Sequence, residues 1–256
     1  MMVQDNFVRK LAAEDKRMDG RMLDELRKIV IEKNPISKAD GSALVRLGKT
    51  QVLAGVKLDV GKPFSDKPDE GVLITSAEFS PISSPDFELG PPRDDSIELA
   101  RIVDRGIRES GAVDMKKLCV EEKEKVWMLN IDISILDNFG NLIDAAALAS
   151  AVAIKNAVFP KYEDGAVVFR EKTKKKLPVK YFPVACTFAR VGNSILLDPS
   201  REEENASTAR LTITTRDDGD VCAIQKGGSG ELAYELIEKA LDLSVKTGKE
   251  IRKMAD

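Results

Sequence analysis

The chain has 256 residues, 43% apolar and 32% charged, with 40 basic against 43 acidic side chains and a net charge of −3. This is ordinary globular composition, which excludes disordered and fibrous classes, and the weakly negative field obliges any polyanion partner to be held by a local basic patch. There is no histidine, and the three cysteines, Cys119, Cys186 and Cys222, lie far apart, which excludes a His general base, a Ser-His or Cys-His nucleophile, a sequence-local zinc site and a disulfide framework.

No signal-peptide core or stretch of about 18 apolar residues occurs. A soluble cytoplasmic protein with reduced thiols and no membrane partner is therefore expected. An amphipathic helix is predicted over residues 6–14, then the turn Asp19-Gly20-Arg21 and a β-rich segment at 28–32. Strand patterns follow at 42–47, 51–60 and 72–79, separated by Gly, Asp and Pro clusters. Helical periodicity runs from Asp94 to about Ser110, with Asp94, Asp95 and Ser96 as cap and first-turn residues. Alternation at Trp127, Leu129, Ile131, Ile133 and Ile135 predicts a strand, and alanine-rich 142–158 a buried helix. The charged, turn-rich stretch 161–180 reads as a junction. Beyond it, strands are predicted at 183–190, 194–198, 210–215 and 221–225, then a helix over 229–253. Strands followed by helices, twice, is an α+β pattern in two similar halves: 1–165, a connecting segment 166–180, and 181–256.

Three features could carry function. Arg101, Arg105 and Arg108 fall within roughly 60° of arc on a helix, opposite Leu99, Ile102, Val103 and Ile107. Such a stripe is either a solvated outer face laced by Glu98 and Asp104, or a row of guanidinium groups for successive backbone phosphates. Asp198 with Glu202, Glu203 and Glu204 is either an oxygen-ligand cluster for Mg²⁺ or Mn²⁺, or an acidic surface turn. Lys226-Gly227-Gly228-Ser229-Gly230 lacks a phosphate-loop pattern and reads as a turn with Ser229 as helix cap. The basic run 170–180 has no aromatic platform and reads as a solvated loop.

The segments Lys16-Arg17-Met18-Asp19-Gly20-Arg21, Lys38-Ala39-Asp40-Gly41-Ser42-Ala43, Gly48-Lys49-Thr50-Gln51-Val52-Leu53-Ala54 and Ile97-Glu98-Leu99 together resemble the RNase PH family of phosphorolytic 3′→5′ exoribonucleases. The resemblance implies an α+β RNase PH-like fold, with a first lobe like ribosomal protein S5 domain 2 and a related α/β second lobe. It also suits a histidine-free chain, because the nucleophile is inorganic phosphate, already anionic, which needs cations to hold it beside the RNA.

The family's site is altered here. Asp94 and Asp95 stand where catalytic members carry phosphate-binding arginines. At about 4 Å such a sign change involves about 1 kcal/mol per charge pair in water and about 4 at an effective dielectric of 20. Arg93, next door, could replace them by a register shift. Gly140, Asn141 and Leu142 match a glycine, hydroxyl, arginine element, and Leu142 can donate nothing. Asp198 matches the first metal-end carboxylate and Glu204 the second, one methylene longer. These departures are similar to the non-catalytic RNase PH-like ring subunits of archaeal exosomes, which alternate with a catalytic sister in a hexameric ring. The resemblance implies no cofactor of its own, with Mg²⁺ or Mn²⁺ and inorganic phosphate at the sister. It implies contacts with single-stranded RNA through Arg101 and Arg105, which helical geometry extends to Arg108, and partners in cap proteins with RNA-binding domains. An active phosphate-dependent exoribonuclease using Arg93, Asp198 and Glu204 is the alternative.

Overall fold

The computed structural model describes residues 2–255, with side chains at all of these except Met2, Val3, Phe169 and Arg170. After helix α1 (Met2–Ala13) come strands β1 (Ile29–Lys33), β2 (Gly41–Leu47), β3 (Thr50–Gly61) and β4 (Val72–Phe79), helix α2 (Asp94–Glu109), strands β5 (Cys119–Glu121) and β6 (Lys125–Asp137), and helix α3 (Leu142–Asn156). These strands form one sheet in the order β1-β2-β3-β6-β4, with β5 on β6. Among the described residues only β4 and β6 pair in parallel, which requires the crossover that α2 supplies. Alternate positions of β3 and β6 are buried, as half-buried strands require, so Val52, Ala54, Val56 and Leu58 meet Leu129, Ile131, Ile133 and Ile135 in the core.

The second lobe contains β9 (Val184–Val191), β10 (Ser194–Leu197), α4 (Arg201–Ala206), β11 (Ala209–Thr215), β12 (Val221–Gly227) and α5 (Tyr234–Ala255). Its sheet runs β10-β9-β11-β12, antiparallel throughout, and α5 packs on β9 and β11. Helix α3 touches β2 and β3 of the first sheet and β9 of the second. A helix enclosed by two sheets has no wet face, which accounts for its run Ala145-Ala146-Ala147-Leu148-Ala149-Ser150-Ala151. The fold is thus the α+β arrangement in two lobes that the sequence implied.

Four expectations need correction. Residues 161–180 are no loop: β7 (Val158–Glu163) and β8 (Ala166–Lys176) form a hairpin. Asp164 and Gly165 turn it with φ of 50° and 82°, the two positive values a tight hairpin needs. Phe159 and Tyr162 hold it to the first lobe, with ring centroids 5.1 and 5.7 Å from Trp127. A two-stranded ribbon solvates both faces of β8, so its charge density imitates a loop. Arg170, at the start of the basic run, lies outside the described side chains. The alanine-rich helix stops at Asn156 because 158 opens β7. The last helix starts at Tyr234, so Ser229 caps nothing. Arg93 rather than an aspartate is the N-cap of α2, without a side-chain cap bond, and Asp94 and Asp95 occupy its first turn.

Candidate functional site, a carboxylate knot beside an arginine groove

Asp198 follows β10 in the left-handed conformation, φ 51°, with its side chain fully buried. Three cationic or polar groups converge on it. Arg27 donates from Nη2 to Oδ1 at 2.6 Å and from Nε and its own backbone N to Oδ2 at 2.9 Å. Arg21 Nη1 reaches Oδ2 at 3.0 Å, and Asn141 Nδ2 donates to Oδ1 at 2.8 Å. Burial pulls the Asp198 carboxyl upward, but the Arg27 bonds and charge, with the Asn141 amide, overcome this and hold it below the usual range. Arg27 is placed from the β2–β3 turn: Gly48, φ +60°, lies so near the Arg27 side chain that an added Cβ would meet its Cδ at 2.8 Å.

Asn141 links the lobes. It caps α3 in the left-handed region, φ 54° and ψ 48°, which asparagine tolerates better than most residues. Its Nδ2 bonds Asp144 Oδ2 as well as Asp198, both at 2.8 Å, and its backbone N donates to Glu204 Oε1 at 2.8 Å. Asp144 accepts further bonds from Thr187 N and Oγ1 at 2.8 and 2.7 Å. Burial pushes its carboxyl up to about 7, with the Asp198 charge adding and the Asn141 and Thr187 bonds opposing. Burial likewise raises Glu204, against the Asn141 bond and the charges of Arg201, Arg210 and Arg27. Glu203 accepts from buried Arg17 at 2.8 and 2.5 Å and closes a capping box with Ser200. Asp198 and Glu202 to Glu204 therefore do not assemble as a ligand set, nor as a surface turn. Two of them are neutralised by arginines, and α4 carries the three glutamates. Among the described residues, no group of three acidic or cysteine side chains converges as a metal site.

A cavity of about 320 Å³ opens beside the knot, lined by Asp95, Glu98, Leu142, Arg201, Glu204 and Arg210 among others. Its cations are matched internally: Arg210 to Glu98 at 2.7 Å, and Arg201 to Asp86 at 3.2 Å and Glu204 at 3.6 Å. Arg93 pairs with Glu88 and is not among the residues that line this cavity. Asp95 and Leu142 do line it, as their sequence positions suggested.

On the outer side of α2 lies a second depression, a groove of about 670 Å³ whose lining includes Asp94, Arg101, Arg105, Arg108, Gln225 and Lys226. The stripe's arginines differ in what they touch. Arg108 is held by Asp104 at 3.0 Å through both Nε and Nη2, and it also donates to the Leu73 carbonyl. Arg105 meets the Gln225 amide, whose oxygen, turned toward it, accepts from Nε at 3.1 Å and Nη1 at 3.0 Å. Arg101 is exposed, with neither hydrogen bond nor ion pair among the described residues. Glu98 does not lace the stripe; it holds Arg210.

The sequence pointed to Asp198, Asn141 and Glu204 but not to the arginines that consume them. Arg17 and Arg21 stand in the motif Lys16-Arg17-Met18-Asp19-Gly20-Arg21, and Asp19 takes part of Arg21, but the carboxylates they share with the second lobe, Glu203 and Asp198, lie 186 and 177 residues away. No local spacing signals such pairing. Asp144 is signalled in sequence as the one carboxylate of α3, whose other charged residue is Lys155 in the last turn.

The 3′ exoribonuclease family matches the chain twice, its domain 1 over residues 25–160 and its domain 2 over residues 181–247. A protein of Methanothermobacter thermautotrophicus named exosome complex component Rrp42 is 49% identical over 231 residues, 90% of this chain and 85% of its own. A chain of the Archaeoglobus fulgidus exosome with RNA bound to the active site superposes with a TM-score of 0.93 at 47% identity, covering 99% of this chain and 98% of that one. A chain of an archaeal exosome core gives 0.87 at 45% identity, over 99% and 97%.

Proposed function

Because the chain belongs to the 3′ exoribonuclease, or RNase PH, family, we propose that it is the non-catalytic subunit of an archaeal-type exosome ring. In this reading it alternates with a catalytic RNase PH-like sister in a cytoplasmic hexamer, carries cap proteins with RNA-binding domains, and lends arginines to the sister's RNA. The Mg²⁺ or Mn²⁺ and the inorganic phosphate belong to the sister.

One observation supports this most directly: every cation at the altered site already has a carboxylate. Phosphorolysis needs positive charge to hold the attacking phosphate beside the phosphodiester it will cleave. Here Arg21 and Arg27 are spent on Asp198, Arg201 on Asp86 and Glu204, and Arg210 on Glu98. Asp95 and Glu98 add negative charge to the cavity wall. The alternative, an active enzyme using Arg93, Asp198 and Glu204, would have to break three of these pairings, those of Asp198 with Arg21 and Arg27 and of Glu204 with Arg201, and that of Arg93 with Glu88. What the chain can offer a strand of RNA is the outer face of α2, where Arg101 and Arg105 meet no carboxylate.

The test is reconstitution. The purified chain, given single-stranded RNA, inorganic phosphate and Mg²⁺, is expected to release no nucleoside diphosphate, and mixing it with the catalytic sister is expected to give a ring that does. Phosphate-dependent release by the chain alone, at the rate of the mixture, would overturn the proposal.

A further inference from the structure

The groove has a second wall. Strand β12 lies at the edge of the second lobe's sheet, paired only with β11, and packs against α2 of the first lobe. Gln225 and Lys226 of this edge strand both line the depression that holds the arginine stripe. We propose that Lys226 is an RNA-phosphate contact, so that a single strand is gripped between the two lobes rather than laid on one helix. This rests on the reading above that the groove takes RNA.

Five cations line the groove: Arg101, Arg105, Arg108, Arg210 and Lys226. A cation already bonded to a carboxylate has little attraction left for a phosphate, since approach of the anion must compete with the existing pair. Arg108 is neutralised in this way by Asp104, and Arg210 by Glu98. Lys226 is exposed and donates only to the Gly228 carbonyl, at 2.7 Å, a neutral acceptor that leaves its charge intact. Gln225 treats Arg105 similarly, orienting the guanidinium through an uncharged oxygen. The available set is therefore Arg101, Arg105 and Lys226, two on α2 and one on β12. Arg101 and Arg105 are one turn apart, about 6 Å along the axis, and Lys226 adds a third charge from the facing wall. As a flexible point charge, Lys226 contributes affinity without demanding a fixed phosphate geometry.

Asp94 lines the same groove at the N-terminal end of α2. Glu109 lines it at the other end of the helix, so the cationic part of the track is bounded by a carboxylate at each end of α2.

The assembled complex, titrated with fluorescein-labelled oligo(A) over a range of salt, tests this. Each phosphate contact on a single strand contributes about −0.7 to the slope of log Kobs against log salt. Lys226→Gln is expected to reduce the slope by about 0.7 and to weaken binding several-fold at low salt, with Lys226→Arg restoring both. Arg108→Gln is expected to change the slope less than Lys226→Gln. An unchanged slope in Lys226→Gln overturns the inference. If Arg101→Gln still lowers the slope, the RNA reading of α2 survives that failure; if Arg101→Gln is also silent, the RNA reading falls with it. Lys226 is exposed and holds one main-chain oxygen, so the variant's fold is not at stake.

Discussion

Arg21 and Arg27 lie against Asp198 behind the cavity wall, whereas Arg101 and Arg105 stand on the outside of α2 and meet no carboxylate of their own chain. The residue type is the same and the consequences are opposite. In the knot, burial makes every unpaired charge expensive, so each arginine is matched and the ensemble joins the amino-terminal segment, α3 and the second lobe. In the groove, solvent tolerates an unmatched guanidinium, and the charge remains available to an incoming anion. Position relative to solvent, rather than the presence of arginine, separates a structural fastener from a binding surface.

The largest expected effect breaks the knot. Asp198→Ala leaves Arg27 buried without its carboxylate partner and Arg21 with Asp19 alone, a change that costs about 3–5 kcal/mol, read as a lower urea midpoint; the groove's affinity for RNA in the folded complex is expected to persist. A wild-type midpoint would mean that the pairing contributes nothing net.

A second experiment uses pH. With its carboxyl pushed up to about 7, Asp144 keeps its proton in the folded chain where the unfolded chain, with an ordinary carboxylate, has released it. Its contribution to stability therefore falls between about pH 4 and 7, by at most about 4 kcal/mol. Asp198 acts in the other direction: its lowered carboxyl adds stability above the ordinary carboxylate pKa, which is lost as pH falls through its folded value. Asp144→Asn is expected to flatten the decline between pH 4 and 7 in denaturant titrations. The Thr187 hydroxyl, already 2.9 Å from Thr212 Oγ1, can accept from the new amide. An undiminished decline would assign it to another group.

The smallest effect on stability belongs to the groove. Arg101→Glu with Arg105→Glu is expected to leave the unfolding midpoint and ring assembly unchanged and to weaken RNA binding of the complex tenfold or more, about 1.4 kcal/mol per tenfold. Unchanged affinity at moderate salt would remove the stripe from the RNA path.

The two regions were also unequally legible in sequence. The groove's helix could be read because its pattern is local: Leu99, Ile102, Val103 and Ile107 recur at helical spacing, and all four are buried. The split within the stripe was only half visible, since Asp104 and Arg108 are four apart but Gln225 and Lys226 arrive from another lobe. The knot could not be read, because Arg17 and Arg27 reach carboxylates 186 and 171 residues away and Thr187 reaches Asp144 from another lobe. The β7–β8 hairpin has a local signal, the turn Asp164-Gly165, which the charge of the solvated ribbon masks.

Gly140 carries a different message from its neighbours. A motif search would score it, with Asn141 and Leu142, as part of a phosphate-binding element. Its backbone has φ +88°, and a Cβ there would lie 2.4 Å from Arg201 N and 2.5 Å from the Ser200 carbonyl carbon. Any side chain there would collide with the second lobe's backbone, so packing alone demands glycine at position 140, whether or not the chain binds phosphate.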